Sequence, residues 1–349
     1  MPKASLLRYR YTQFFVLSIL CAIIYVMTQS ISLGTTKIQE NLYKKDFLIE
    51  RVTLLRMKIG DRIFPQTLIG KDGWMEYTGG GNLDDFQNVK ELDNKKILGE
   101  KLGTLNQYLE SQGITLLIVV TPNKATIYPD KLPEQMKSLP TQSRLDSLIS
   151  YLESNNLPVI LDLRPALKKA RQNQDVYYKT DTHWNGYGAF IAYTTIMNTL
   201  RGSYPELKPY ETSDMELVTK NPDILGIPRA LMHVNFITET SFFFTPKELF
   251  VQTLHPTLPP GDTFGYNQYS WISDSKLPSL LMFHDSFGSL YLNNYLSMNF
   301  GKSHFIQNNM PKYLTEESIQ QFKPDIIVIE IVERNLDGLV FLLSNFAPK

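Results

Sequence analysis

The sequence predicts an α/β fold: a three-layer sandwich with a central, mainly parallel sheet, preceded by one N-terminal transmembrane helix. Three observations carry that expectation. Residues 114–120, 159–163, 279–283 and 326–331 are near-continuous runs of β-branched and apolar residues, the pattern of strands covered on both faces. Stretches with helical spacing of apolar residues stand between them, and repeated strand–helix alternation builds a parallel sheet with helices on both sides. Residues 11–36 carry no charge at all.

That uncharged stretch comes first. Lys3, Arg8 and Arg10 precede it, and its apolar heart, residues 14–27, is interrupted only by Ser18. As one helix it would be about 39 Å long, enough for a hydrocarbon core of about 30 Å. The basic flank puts residues 1–10 in the cytoplasm and the remainder of the chain on the far side of the membrane. A cleaved signal peptide is the rival reading, with Ser30-Ile31-Ser32 as a poor cleavage site. Both readings export the main domain. Cys21 is the only cysteine, and Leu20 before it is too large for a good lipoprotein signal. The exported part then folds without disulfides.

Residues 37–60 alternate charges with Ile38, Leu42, Leu48, Val52 and Leu55 at helical spacing, a stalk or docking helix. Residues 61–349 form the main domain. Within it, residues 67–77 read as strand–turn–strand with Lys71-Asp72-Gly73 as the turn. Helices are expected over 90–112, 143–155 and 182–200, each beside one of the apolar runs. Residues 203–278 break the rhythm with Pro, Asp, Thr and the cluster Phe242-Phe243-Phe244, an insertion that is irregular or made of small strands over one edge.

Composition narrows the function. With 43% hydrophobic and 20% charged residues among 349, a sizeable core is available and general disorder is excluded. Thirty-five basic residues balance 35 acidic ones, and no basic stripe with interleaved aromatics argues for nucleic acid. The 19 Tyr and 19 Phe suit a large core or a carbohydrate-facing cleft.

Two stretches carry chemistry. Residues 177–185, Tyr-Tyr-Lys-Thr-Asp-Thr-His-Trp-Asn, offer Asp181 and His183 one residue apart; residues 280–288 end an apolar run in His284-Asp285-Ser286. A hydroxyl becomes a nucleophile near neutral pH when a base takes its proton, and the base needs a partner to hold its tautomer. Asp181, His183 and Ser286 are the residue types of that device. Ligands of open parallel sheets collect at the C-terminal strand ends, where Thr121–Lys124, Asp162 with Arg164, and His284–Ser286 all fall. The blander readings are a capping aspartate beside a surface histidine, and a serine capping the next helix. Asp181, His183, His284 and Asp285 have metal-ligand chemistry but lack the two-histidine helix spacing, so no metal is assigned. His284 reads as packing.

The motif over 177–185, the Asp285-Ser286 turn and Pro324-Asp-Ile-Ile-Val-Ile-Glu-Ile-Val-Glu-Arg-Asn-Leu336 together resemble the alginate O-acetyltransferase AlgJ/AlgX-like family. Gly70–Trp74 and Asp162–Pro165 look like further blocks, and Asp223–Gly226 is a looser one. The resemblance implies an SGNH-hydrolase-like domain with its blocks circularly permuted. It further implies Ser286 as nucleophile, His183 as base, Asp181 as the residue orienting the histidine, and no cofactor. The implied activity is O-acetyl transfer to an extracellular or cell-envelope polysaccharide, with a membrane-bound O-acyltransferase supplying the acetyl donor. An acetyl esterase using the same three residues and a non-catalytic subunit of an acetylation complex are the alternatives. Trp74, Tyr77, Tyr128 and Trp184 are candidate sugar-stacking residues, and Lys124 and Asn185 are counted with them as candidate substrate contacts. Glu330 and Arg334 are expected to form a buried structural pair.

Overall fold

A computed structural model of the chain describes residues 17–25, 27–28, 45–89, 91–136, 142–158, 160–220, 231–232, 237, 239–247, 252–255, 268–271, 276–307, 314–343 and 346. It divides into two compact units, Met1–Arg62 with Met232–Val234, and Ile63–Leu231 with Asn235–Lys349. In the first unit, residues 17–25 and 27–28 are helical, and helix α1 spans Lys45–Lys58. Among the described residues no helix is long and apolar enough to cross a membrane. The other residues of the expected anchor, and the first part of the expected stalk, lie outside the described residues.

The second unit begins with a small antiparallel sheet of β1 (Ile63–Phe64), β2 (Thr67–Ile69) and β3 (Met75–Tyr77). The Lys71–Gly73 turn joins the last two, as expected from Lys-Asp-Gly. Short α2 (Asn82–Gln87) follows. The long helix expected from residue 90 is α3 (Lys95–Ser111), which feeds β4 (Thr115–Thr121). One turn of helix, α4 (Lys124–Ile127), leaves that strand end. Helix α5 (Arg144–Ser154) starts where Ser143 accepts the Asp146 N–H as its cap, and it leads through β5 (Ile160–Asp162) into α6 (Arg164–Ala170). Helix α7 (Gly186–Leu200) begins later than residue 182 because Asn185 caps it by accepting the Gly188 N–H.

The insertion holds small strands. β6 (Met215–Lys220) and β7 (Ser241–Pro246) pair antiparallel, and β8 (Gln252–His255) and β9 (Gln268–Trp271) extend the main sheet. The remaining elements are β10 (Ser279–His284), α8 (Asn293–Ser297), β11 (Lys302–Gln307), α9 (Glu316–Phe322), β12 (Ile326–Val332) and α10 (Leu336–Leu342).

Among the described residues the main sheet runs β5-β4-β12-β10-β11-β9-β8, with the first five strands parallel, β9 antiparallel to β11 and β8 antiparallel to β9. Side-chain alternation sends Leu117 and Val119 to one face and Ile118 and Val120 to the other; Met282 and Phe283 divide in the same way. Both faces are covered, which is why these strands read as unbroken apolar runs. Helices α6, α7 and α8 contribute to the core on the first face, and α3, α5, α9 and α10 to that on the second. The result is the three-layer α/β sandwich expected from the sequence. β11 was not foreseen: Ser303 and His304, both buried, interrupt its apolar run.

Candidate active site

Because β4, β12 and β10 are adjacent and parallel, Asn123, Glu333 and Ser286 follow their strands on one sheet edge. The turn after β10 is fixed from below. The Asp285 carboxylate accepts the Phe287 N–H at 2.8 Å through Oδ1 and the Val332 N–H at 2.8 Å through Oδ2. The Asp285 N–H donates to Glu330 Oε2 at 3.1 Å, and Thr121 Oγ1 donates to Glu330 Oε1 at 2.6 Å. Burial and the Asp285 charge push Glu330 well above the ordinary glutamate value. Ser286 is exposed between two buried neighbours. Gly288 is required here, since a Cβ would come within 2.4 Å of the His284 Cβ. His284 is buried and turned away, its Nδ1 2.7 Å from the Asp285 carbonyl and its Nε2 3.1 Å from Asn293 Nδ2. Only a protonated Nδ1 can bond that carbonyl, so Nε2 accepts.

The Asp181–His183 loop stands on no strand end. Tyr177 bridges to Trp184, and the Tyr178 N–H donates to the His183 carbonyl at 3.1 Å, closing a tight hairpin. Asp181 Oδ1 accepts the Thr182 N–H at 2.5 Å and lies 3.1 Å from His183 Nδ1. His183 Nε2 lies 2.8 Å from Ser286 Oγ. The three residues singled out in sequence are therefore one contiguous chain of contacts. Burial alone would raise the Asp181 carboxyl, but the hydrogen bond and charge of His183, the Thr182 N–H and the Lys124 cation together hold it below the usual aspartate value. The His183 ring packs on Phe287 at 4.7 Å, and Trp184 Nε1 donates to the Leu290 carbonyl at 3.1 Å, tying the loop to the turn.

The candidate substrate contacts fare differently. Trp74, Tyr128 and Trp184 are buried, so none offers a free face to a sugar. Trp74 stacks on Tyr128 at 4.3 Å, and Tyr128 is further pinned through its hydroxyl by the Val176 N–H at 2.8 Å and Asp175 at 3.2 Å. Lys124 is buried and donates to main-chain carbonyls, and Asn185 is the α7 cap and donates to the Asp175 carbonyl. Tyr77 alone of the six is part-exposed, with the Arg334 guanidinium 5.8 Å from its ring. The expected Glu330–Arg334 pair is not formed: Arg334 donates to Asn123 Oδ1 at 3.1 Å and lies 5.6 Å from the Phe287 ring. Arg334, Asn335, Asp337 and Phe341 line an open cleft of about 420 Å³ beside Asp285.

Sequence reasoning missed two contributors. Tyr291, at φ 71°, pairs its hydroxyl with that of Tyr178 at 2.7 Å and stacks on Phe243 at 5.5 Å. Glu239, from the insertion, accepts main-chain N–H groups of the Asp181 loop. Neither sits in a motif. Arg164, counted with Asp162 among the converging strand ends, is ion-paired both to Asp162 and to Asp146. Among the described residues no cluster of His, Cys, Asp and Glu could hold a metal ion.

Residues 67–226 match the family model of the SGNH hydrolase-like domain of acetyltransferase AlgX. A probable alginate O-acetylase AlgJ of Pseudomonas aeruginosa is 26% identical over 152 residues, 42% of this chain and 37% of the relative. The chain spans less than half the length of the curated relatives it matches. Bacillus cereus PatB1 superposes with a TM-score of 0.56 over 78% of this chain and 98% of its own, at 17% identity. Pseudomonas aeruginosa AlgX superposes at 0.51 over 80% and 67%, at 18% identity. The chain is thus similar in sequence, over residues 67–226, to the SGNH hydrolase-like domain of the AlgJ/AlgX-like proteins, and it shares their α/β fold.

Proposed function

We propose that the protein is an O-acetyltransferase that moves acetyl groups onto hydroxyls of an extracellular or cell-envelope polysaccharide through an acetyl-serine on Ser286. The observation that carries this reading is the placement of His183 between Asp181, at 3.1 Å, and an exposed Ser286, at 2.8 Å. The matched AlgJ proteins bear the name probable alginate O-acetylase, which supports acetyl transfer to a polysaccharide.

In the first half-reaction Ser286 Oγ attacks the donor's acetyl carbon while His183 Nε2 takes its proton. Asp181 holds the imidazole so that Nε2 faces the serine and stabilises the imidazolium that forms. The Ser286 N–H opens a helical turn and has no intrahelical acceptor, so it is available to the oxyanion. Collapse breaks the bond to the donor oxygen, which leaves with the proton from His183. In the second half-reaction His183 takes the proton of a sugar hydroxyl, the sugar oxygen bonds to the acetyl carbon, and Ser286 leaves and regains a proton. One acetyl group moves and no proton is consumed.

The N-terminal uncharged stretch anchors the chain by a single pass, with the main domain outside the cytoplasm. Acetyl-CoA is absent there, so a membrane-bound O-acyltransferase delivers the acetyl group. The test is mass spectrometry after incubation with a chromogenic acetyl ester and rapid acid quench. One acetyl group should appear on the peptide containing Ser286 and vanish in Ser286→Ala. Equal acetylation in both proteins would remove Ser286 from the reaction.

A further inference from the structure

Lys124 is almost fully buried, and placing an ammonium there is costly unless its hydrogens are satisfied. No carboxylate pairs with it directly among the described residues. Its Nζ donates instead to main-chain carbonyls: Met75, Asp181 at 2.6 Å, Tyr178 at 3.2 Å and Lys179 at 3.4 Å. Three of these four belong to the loop that carries Asp181. On the opposite side of that loop, the Glu239 carboxylate accepts the Lys179 N–H at 2.7 Å, the Thr180 N–H at 2.8 Å and the Thr180 hydroxyl at 2.8 Å.

The pairing is peptide by peptide. The Tyr178 carbonyl and the Lys179 N–H are the two ends of one peptide group, and the Lys179 carbonyl and the Thr180 N–H are the two ends of the next. In a trans peptide these ends point in opposite directions. Each group is thus strung between a cation on its carbonyl side and an anion on its amide side, with its dipole aligned to both charges. The next carbonyl bound by Lys124 is that of Asp181 itself.

We infer that Lys124 and Glu239 form a two-sided ionic clamp on residues 178–181 that sets the reach of Asp181 and His183 to Ser286. Both are positioning residues; neither contacts Ser286. The clamp gives the insertion a task in the site, because Glu239 lies within it. The inference rests on Ser286 being the activated nucleophile, and the experiment separates the two ideas.

The readout is the second-order rate of Ser286 labelling by phenylmethylsulfonyl fluoride, followed by intact mass. In that step Ser286 Oγ bonds to sulfur, fluoride leaves, and His183 passes the serine proton to solvent. Glu239→Ala should slow labelling about 10- to 100-fold, the loss expected when a base is displaced by a fraction of an ångström to an ångström. Its circular dichroism should be unchanged, and on a chromogenic acetyl ester kcat should fall while KM holds. Glu239→Gln, which keeps one accepting oxygen, should recover part of the rate. Lys124→Met should give a similar loss in whatever fraction folds, and the half-buried Glu239 decides the matter if it does not fold. Labelling of Glu239→Ala at the unsubstituted rate would overturn the clamp and leave the nucleophile intact. An unsubstituted protein that does not label at Ser286 would remove the nucleophile, and the clamp with it.

Discussion

Ser286 and His183 meet at 2.8 Å, but the backbone beneath each is held by different means. The serine turn grows out of β10, whose neighbour β12 is in register with it from Leu280 against Ile326 to Phe283 against Ile329. Its fixing groups are Asp285, directly after β10, and Val332 and Glu330, both within β12, so the sheet itself sets the position of Oγ. The Asp181–His183 loop has no strand under it and is held by two side chains from far along the chain, Lys124 and Glu239, and by its own Trp184, which donates to the distant Leu290 carbonyl. In the proposed reaction the nucleophile stands on a sheet edge and is rigid by construction, whereas its base is placed by ionic side chains away from the chemistry. The base half should therefore be the more sensitive to polar substitutions away from the chemistry, and the nucleophile half the more sensitive to volume.

The largest effect tests whether the two halves work together. His183→Ala should lower acetyl-ester turnover by about 10⁶-fold, as loss of the base does in serine–histidine–aspartate sites. Assays of purified protein by ester hydrolysis and by melting will show whether the loss is chemical. A variant that retains turnover within tenfold would detach His183 from Ser286. The nucleophile half is probed by Gly288→Ala. The new methyl would press on the His284 Cβ and ring, and overpacking of that kind costs about 1–3 kcal/mol. Urea unfolding measures it, and a loss of Ser286 labelling should accompany the loss of stability because the turn must shift to make room.

The polar groups under the serine turn give a pH signature. Burial and the Asp285 charge raise Glu330 in the folded chain, whereas in the unfolded chain it ionises at the ordinary glutamate value. The folded state then binds one more proton, so this group's contribution to stability is full below the unfolded value and is lost as pH rises towards the folded one. Glu330→Gln has no such proton. Its stability relative to the unsubstituted protein should improve by about 1.4 kcal/mol per pH unit over that window. Parallel urea titrations at a series of pH values would show it, and a pH-independent difference would mean that Glu330 is ionised in the fold. Asp181 behaves oppositely, contributing stability above the ordinary aspartate value that is lost as pH falls through its depressed one.

The same contrast explains what could be read from the sequence. β4, β10 and β12 were legible because burial on both faces makes most of their positions apolar, with Thr121, His284 and Glu330 the buried polar exceptions. Asp181, His183 and Ser286 were legible because each sits in a short motif whose chemistry is local. Lys124 was noticed at a strand end, but its partners lie 49 to 57 residues away and are backbone carbonyls, which no side-chain pattern encodes. Glu239 sits 60 residues from the Lys179 N–H it accepts, inside a segment with no periodicity. Glu330 and Arg334 are four apart on a strand running into a turn, and that spacing does not bring the two together as it would on a helix. Side-chain burial likewise decided against the sugar platforms, since an aromatic in a motif reads the same whether its face is free or covered.

The smallest effect sharpens that last point. Tyr128 was a candidate sugar-stacking residue, yet its ring is covered by Trp74 and by the Arg171 guanidinium at 4.4 Å, and its hydroxyl accepts the Val176 N–H. If the residue is structural, Tyr128→Phe keeps the ring packing and loses only the hydrogen bonds of the hydroxyl. The buried Val176 N–H is then left without its acceptor, a cost of about 1–3 kcal/mol. Val176 immediately precedes the 177–185 motif, so the loss falls on the base half of the site. Stability should therefore drop while KM for a polysaccharide acceptor is unchanged, whereas a stacking platform would tolerate Phe and lose affinity only on removal of the ring. Tyr128→Leu distinguishes the two: a rise in acceptor KM in material that melts as the Phe variant does would return Tyr128 to the acceptor site.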